Sequence, residues 1–227
     1  SEVDGIWGLL SKDKDVLLQC ISDVAGKLVW SEVRLSGLGY WIDSKVTALS
    51  LFEKIAKSEF LRKRDPHHCA LFYLALNKVN VLGGLCRATN NTKLGDFLKR
   101  NFDEDANLVA ALKNAYALLG QHRYELAAAF FLLARKPEDA IEVCVKNLGD
   151  VQLGLSIALL QSTDEKDLRT NLIEKTLMNG AKERKAFHEC LLYKIMLKDY
   201  GGAMKTLTSM VIPVSYTHLT LPTRLSV

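Results

Sequence analysis

The sequence predicts an all-α protein, an irregular α-solenoid of stacked helical hairpins, and three observations carry that expectation. Apolar residues recur at steps of three and four in segment after segment. Turn punctuation is sparse, with 14 glycines and 4 prolines in 227 residues, so strand-and-turn architectures lack what they need between elements. From Asp103 onward the apparent helix pairs begin near residues 103, 137, 163 and 200, at spacings of 34, 26 and 37, which follow no fixed period and exclude a strict tetratricopeptide array. In such a stack each pair hides its apolar faces against its neighbours and leaves a broad surface for partners.

Element by element, Leu17, Ile21, Val24 and Leu28 form the stripe of a first helix from Ser11 to about Trp30. Ser36, Gly37 and Gly39 interrupt it, and a second helix starts at Asp43 or Ser44 with Leu49, Phe52, Ala56 and Phe60 on its buried side. Asp65 before Pro66 is a start signal for the third, DPHHCALFYLALNK, because Asp caps free amides and proline costs least at the first helical position. The stretch Val81 to Ala88 carries Gly83 and Gly84, each worth about 1 kcal/mol against helix, so it relies on its neighbours. A short helix over Lys93–Arg100 follows. Asp103, Glu104 and Asp105 then place negative charge at a helix start, Leu108, Ala111, Leu112, Ala115 and Leu119 make its stripe, and Gly120 ends it.

The segment from Gln121 to Arg135 is apolar nearly all round and predicts a helix sandwiched between others. Pro137 opens the next, with Ala140, Ile141, Cys144, Val145 and Leu148 inward and Gly149 as its stop; Asp150 caps a partner bearing Leu153, Ile157 and Leu160. Ser162 and Glu165 read as a capping box for a helix with Leu168, Leu172 and Leu177, ended by Asn179 and Gly180. Phe187, Leu191 and Ile195 mark another, and Lys198 to Gly202 connects to Ala203, Leu207 and Met210. Residues 1–212 are thus the helical region. Pro213 to Val227 holds two prolines, no stripe and no acid, and VSYTHLTLPT from Val214 reads as translated sequencing adaptor, with a disordered tail as the alternative.

Composition narrows the function. The net charge of +4 is mild for this length, which leaves nucleic-acid binding unsupported. The longest apolar run, Leu126 to Ala134, is far short of the roughly 20 residues that cross a bilayer. Five scattered cysteines without a CxxC suit a reducing, cytoplasmic compartment. The chain starts at Ser1 without a signal-peptide pattern and reads as an internal fragment of something longer.

Catalytic and cofactor signals are weak. His67, His68 and Cys69 are consecutive, whereas a helix needs spacing of three or four to aim two ligands at one metal; Cys69 reads as core and the histidines as surface. His122 and His188 lack a visible triad, and no GxGxxG or GxxxxGK[ST] anchors a nucleotide. No cofactor is therefore expected, nor an enzyme. Lys54, Lys57, Arg62, Lys63 and Arg64 gather at one helix end. A solvated terminus complementing the helix dipole explains them; an acidic protein partner or anionic membrane surface is the functional reading, and Arg62, Lys63 and Arg64 are the candidate contacts. Tyr40 and Trp41 read as a core plug between hairpins, with an interface anchor as the alternative.

The stretches AALKNAYALLG from Ala110, RYELAAAFFLLA from Arg123 and DAIEVC from Asp139, with GYWI from Gly39, ALFYLALNK from Ala70 and KNLGDVQLG from Lys146, are more specific than helix packing requires. On them the chain resembles the C-terminal helical domain of the DmX-like, or rabconnectin, family, whose members include the yeast RAVE-complex regulator of vacuolar proton ATPase assembly. The match is best over residues 35–160. The resemblance implies a non-enzymatic scaffold that promotes assembly of the vacuolar proton-transporting ATPase and so organelle acidification. It implies ATPase subunits and accessory assembly factors as partners, and a cytoplasmic location with peripheral recruitment to endosomal, vacuolar or synaptic-vesicle membranes. It offers no catalytic residue to carry over. The alternative is a generic α-solenoid coat or vesicle-trafficking scaffold that shares only the architecture.

Overall fold

The computed structural model describes residues 28–163 and 167–211. Most of the helix expected from Ser11, Glu165 of the expected capping box, and the segment 213–227 lie outside the described residues. The described residues are all-α, with no strand among them. They fall into two units, one reaching Arg169 and one beginning at Thr170.

The described part of the first unit starts with two short helices, α1 (Trp30–Leu35) and α2 (Leu38–Trp41), joined through Gly37 at φ +71°. Trp30 therefore opens a helix where the sequence suggested an end. Helix α3 (Lys45–Lys63) is capped by Ser44, and α4 (Pro66–Ala75) by Asp65, whose Oδ1 accepts from the His67 N–H at 3.0 Å. Then come α5 (Val79–Ala88), α6 (Thr92–Leu98), α7 (Asp105–Gly120) and α8 (Tyr124–Leu133). Helix α9 (Pro137–Glu142) runs on through a π-helical segment, Val143–Asn147, to Gly149 at φ +62°; Asp150 caps α10 (Val151–Gln161) with Oδ1 on the Leu153 N–H at 3.0 Å.

A repeat is present at the level of single helices that hairpin spacings conceal. Starts at Pro66, Val79, Thr92 and Asp105 lie 13 residues apart, as do Tyr124 and Pro137, and Phe187 and Tyr200 of the second unit. The left-handed residues that end the helices keep the same step of 13: Arg64, Asn77 and Asn90; His122 and Arg135; Lys185 and Lys198. From Asn77 onward each of these donates its N–H to the carbonyl three residues back, and the next residue donates to the carbonyl five back, as in Lys78 to Tyr73 at 2.8 Å and Lys136 to Phe131 at 2.9 Å. That is the Schellman closure. The residue completing it is already the N-cap of the following helix, so three residues suffice to connect one helix to the next.

Glycine is the expected stop signal and takes the left-handed position at Gly149, whereas the stops spaced by 13 fall on Asn, His, Arg or Lys. Gly120 is only the last helical residue, with His122 taking the left-handed position, and Gly180 sits inside a helix.

Packing in the first unit centres on three helices surrounded by others. Helix α4 touches α3, α5, α8 and α10; α8 touches α7, α4 and α9. Accordingly Cys69 to Ala75 is buried without a break, as are Leu126 to Phe131. In α3 the buried stripe is Ala48, Leu51, Phe52, Ile55, Ala56 and Glu59, with Leu49 turned to solvent and Phe60 half-buried. Helix α10 reaches past its sequence neighbours to α2, α3 and α4, so hairpins early in the chain are clasped by one near residue 155. The clasp is polar as well as apolar. Gln152 accepts from the Gly39 N–H at 3.0 Å and donates to the Arg34 carbonyl at 2.9 Å, and Gln161 donates to the Ala75 carbonyl at 2.8 Å. Tyr40 and Trp41 are half-buried beside this contact.

At the end of this unit Ser162 Oγ accepts from the Leu168 N–H at 3.0 Å, opening α11 (Leu168–Asn171), which straddles the boundary. The second unit continues through a π-helical segment (Leu172–Leu177) into α12 (Met178–Glu183), α13 (Phe187–Met196) and α14 (Tyr200–Val211). Only α12 and α14 flank α13 closely. Cys190 and Tyr193 are buried there, while Phe187 and Leu207, expected inside, are exposed.

Candidate functional site

The basic run that ends α3 does not act as one group. Arg64 is the left-handed residue closing the helix, its N–H on the Phe60 carbonyl at 2.7 Å. Arg62 grips Glu59 through Nε at 3.2 Å and Nη2 at 2.6 Å, both to Oε2. Lys63 Nζ lies 3.3 Å from His68 Nδ1, a contact in which the imidazole nitrogen supplies the lone pair. Arg62 and Lys63 line a cleft of about 640 Å³; Arg64 does not.

Trp30 and Phe72 line the cleft, and the fully buried Phe52 packs against both. Trp30, Phe52 and Phe72 pack with centroids 5.5–6.1 Å apart, two of the three contacts edge-to-face, an arrangement adding roughly 0.5–1.5 kcal/mol per pair beyond burial. Trp30 is also held through its polar atoms. Its indole Nε1 donates to Asp150 Oδ2 at 2.8 Å, and its backbone N–H to Glu59 Oε1 at 3.4 Å. Arg34 extends the clasp, with Nη1 3.5 Å from Asp150 and Nη2 donating to the Gly149 carbonyl at 3.1 Å.

Two buried carboxylates thus sit under two half-exposed guanidinium groups. The Glu59 and Asp150 side chains are 8% and 5% exposed, against 46% for Arg62 and 49% for Arg34. Such carboxylates are tolerated only with partners, and here each has one guanidinium plus N–H donors. What the cleft offers an incoming group is therefore the outer side of Arg34, Arg62 and Lys63, with Leu35 at the lip, 82% exposed. Glu125 is the exposed acid on its wall.

A second, smaller hollow of about 390 Å³ shares His68, Glu125 and Leu148 with the first and adds Asp65, His67 and His122. His67 Nδ1 is 2.7 Å from Asp65 Oδ1 and 3.2 Å from Asn91 Nδ2. Partial burial opposes ionisation of Asp65, but hydrogen bonds from the His67 amide and ring outweigh it, so the carboxyl is held below its ordinary range. An acid beside an imidazole is half of a triad, but the Asn91 amide approaches the same ring nitrogen, Nδ1, and so does not complete one. His122 pairs with the Tyr124 hydroxyl. Cys69 is in the core, its thiol on the Pro66 carbonyl at 3.3 Å and pushed up to about 12 by burial. Among the described residues no three metal-ligating side chains converge.

Sequence reasoning picked out Arg62 and Lys63 but missed Arg34, Leu35 and the docking role of Trp30. Asp150 was legible as a cap; that its other oxygen holds Trp30, 120 residues away, was not.

Comparison with known proteins places this geometry in context. A family model described as RAVE protein 1 C terminal matches residues 2–221. DmX-like protein 1 of Homo sapiens is 41% identical over 192 residues, covering 78% of this chain and 6% of that protein. The protein named Regulator of V-ATPase in vacuolar membrane protein 1 from Saccharomyces cerevisiae is 32% identical over 213 residues, covering 91% of this chain and 16% of its own length. Its namesake from Schizosaccharomyces pombe is 30% identical over 179 residues, covering 76% of this chain and 14% of that protein. The chain thus corresponds to a small share of each of these relatives.

Proposed function

Because the chain belongs to the RAVE protein 1 C-terminal family, we propose that it is a protein-interaction module of a regulator that promotes assembly of the vacuolar proton-transporting ATPase and so organelle acidification. It acts by binding and not by catalysis. The observation that carries this reading is the family match over residues 2–221, together with relatives named as regulators of V-ATPase. The geometry supports a binding role: stacked helices hold an open cleft whose rim carries the half-exposed Arg34 and Arg62 and Lys63, with Glu125 exposed on its wall.

ATPase subunits and accessory assembly factors are the partners, and the Arg62 and Lys63 rim, with Arg64 beside it, is where they dock. No described helix is long and apolar enough to cross a membrane; the module works in the cytoplasm and is recruited peripherally to endosomal, vacuolar or synaptic-vesicle membranes. Affinity capture from cytosol on the immobilised chain, read by mass spectrometry, tests this. Retention of ATPase subunits or their assembly factors is the expected outcome. Retention of coat subunits or sorting adaptors instead would make the likeness architectural and overturn the reading.

A further inference from the structure

Helix α14 presents three different faces. Ala203 and Thr206 belong to the one that meets α13: Ala203 is buried, and Thr206 Oγ1 accepts from Lys194 Nζ of α13 at 2.7 Å, as the Gly202 carbonyl does at 3.2 Å. Gly201, Lys205, Thr208 and Ser209 make an exposed polar face. Tyr200, Met204 and Leu207, spaced by four and three, make the remaining one. These three side chains are 66%, 60% and 43% exposed, and the close packing of α14 is with α13 alone.

The last helix of a stacked array needs a polar outer face to stay soluble. Helix α14 instead bears a second apolar face beside the one on α13, the pattern of a helix with neighbours on two sides, as α4 and α8 have in the first unit. Area, charge and chain length identify what covers it. Even a fully buried aromatic side chain supplies only about 150–250 Å², so three partly exposed ones fall short of the about 800 Å² per partner that a free complex buries. A helix that lies on a bilayer is rich in Lys and Arg on its polar face, whereas α14 holds one Lys and no Arg among 12 residues. A tethered segment needs far less contact, because a short linker holds it at an effective concentration in the millimolar range. This chain corresponds to 6% of DmX-like protein 1 and 16% of the yeast regulator, so most of each relative lies outside the matched segment.

We propose that the stripe of Tyr200, Met204 and Leu207 is the seat of another helix of the same longer polypeptide, an amphipathic one whose own apolar side chains cover these three. Helix α14 is then an inner helix of the array, and the α13–α14 pair joins this module to the next. The stripe carries no charge of its own, so the covering helix is recognised by apolar complementarity and held by its tether. The inference concerns how the module is built into a longer protein and is independent of which partner the module binds.

The test compares amide hydrogen exchange, read by mass spectrometry, in this chain and in the full-length yeast regulator, whose match covers 91% of this chain. The helix of the yeast protein aligned with α14 should exchange at least about tenfold more slowly than α14 does here, where only one neighbour protects it. Cross-linking of the yeast protein should join that helix to a helix outside the matched segment. In this chain Met204→Glu should leave the thermal midpoint unchanged, because the face is bare. Equal exchange in the two proteins overturns the proposal, as does a lowered midpoint in Met204→Glu, which would show the face already in use within the chain. Two further results overturn it by naming another occupant. One is a doubled mass in light scattering of this chain that Met204→Glu returns to the monomer, which assigns the face to a second copy. The other is protection of α14 in this chain that appears only on adding phosphatidylserine vesicles, which assigns it to a membrane.

Discussion

Trp30 and Asp150 lie 120 residues apart in the chain and 2.8 Å apart in space, indole Nε1 to carboxylate Oδ2. Asp150 is simultaneously the N-cap of α10, through the Leu153 amide at 3.0 Å. One carboxylate therefore starts α10 and fastens it to α1.

Trp30→Phe should remove that tether while keeping most of the apolar burial. A hydrogen bond to a charged group contributes about 1.5–3 kcal/mol, so a loss of that order is expected in urea denaturation. Asp150→Ala should cost more, since it also removes a cap contributing about 1 kcal/mol. In the double variant the two losses should not add, because both break the same contact.

The left-handed stops give a second prediction. Arg135, Lys185 and Lys198 adopt φ of 57°, 55° and 60°, a conformation that disfavours residues bearing a Cβ by roughly 1–2 kcal/mol. Glycine at any of them should stabilise its unit by about 0.5–1 kcal/mol after its greater unfolded-state entropy is deducted. Valine at Lys185 should do the reverse, and the denaturation midpoints of both variants check the sign.

Two glycines with opposite surroundings give a third. A Cβ on Gly39 would stand 2.6 Å from Gln152 Cβ, where α2 meets α10. Gly39→Ala should cost about 1–3 kcal/mol, the usual penalty of overpacking. Gly83 in α5 meets nothing within 4 Å, so Gly83→Ala should gain about 0.5–1 kcal/mol from helix propensity alone. The thermal midpoints should move in opposite directions.

Glu53 carries the pH prediction. Hydrogen bonds from Lys78 at 2.8 Å and Lys57 at 3.0 Å lower its carboxyl from 4.5 to about 2. A depressed carboxyl contributes stability that is fully present above its unfolded value and is lost as pH falls through the folded one, here between about 4.5 and about 2. Side-chain carboxyl NMR should follow Glu53 titrating near the lower value, and Lys78→Met should move it back toward the upper one.

The sequence displayed local rules well and distant pairings poorly. Asp65 before Pro66, Pro137 after Lys136, and Asp150 after Gly149 state helix boundaries in residue types whose own chemistry makes the cap, and the structure places helices there. The all-apolar run of α8 announced a helix covered on every side. What escaped was information held in backbone angles and in space. The step of 13 is carried by left-handed residues of four types, Arg, Asn, His and Lys, so no single letter marks it throughout. Arg62 and Lys63 were visible as charge, and Glu59 lies three residues before Arg62 on α3, but Arg34 and Asp150 join them only when α1, α3 and α10 meet.

The central claim, that the rim formed by Arg62 and Lys63 is where the module takes hold of its partner, is tested most directly by repeating the cytosolic capture with the chain and with its Lys63→Glu variant side by side and quantifying retained vacuolar ATPase subunits. The expected result is retention by the unaltered chain, weakening as salt is raised because exposed charges are screened, and retention several-fold lower by the folded variant. Equal retention by both proteins would contradict the account.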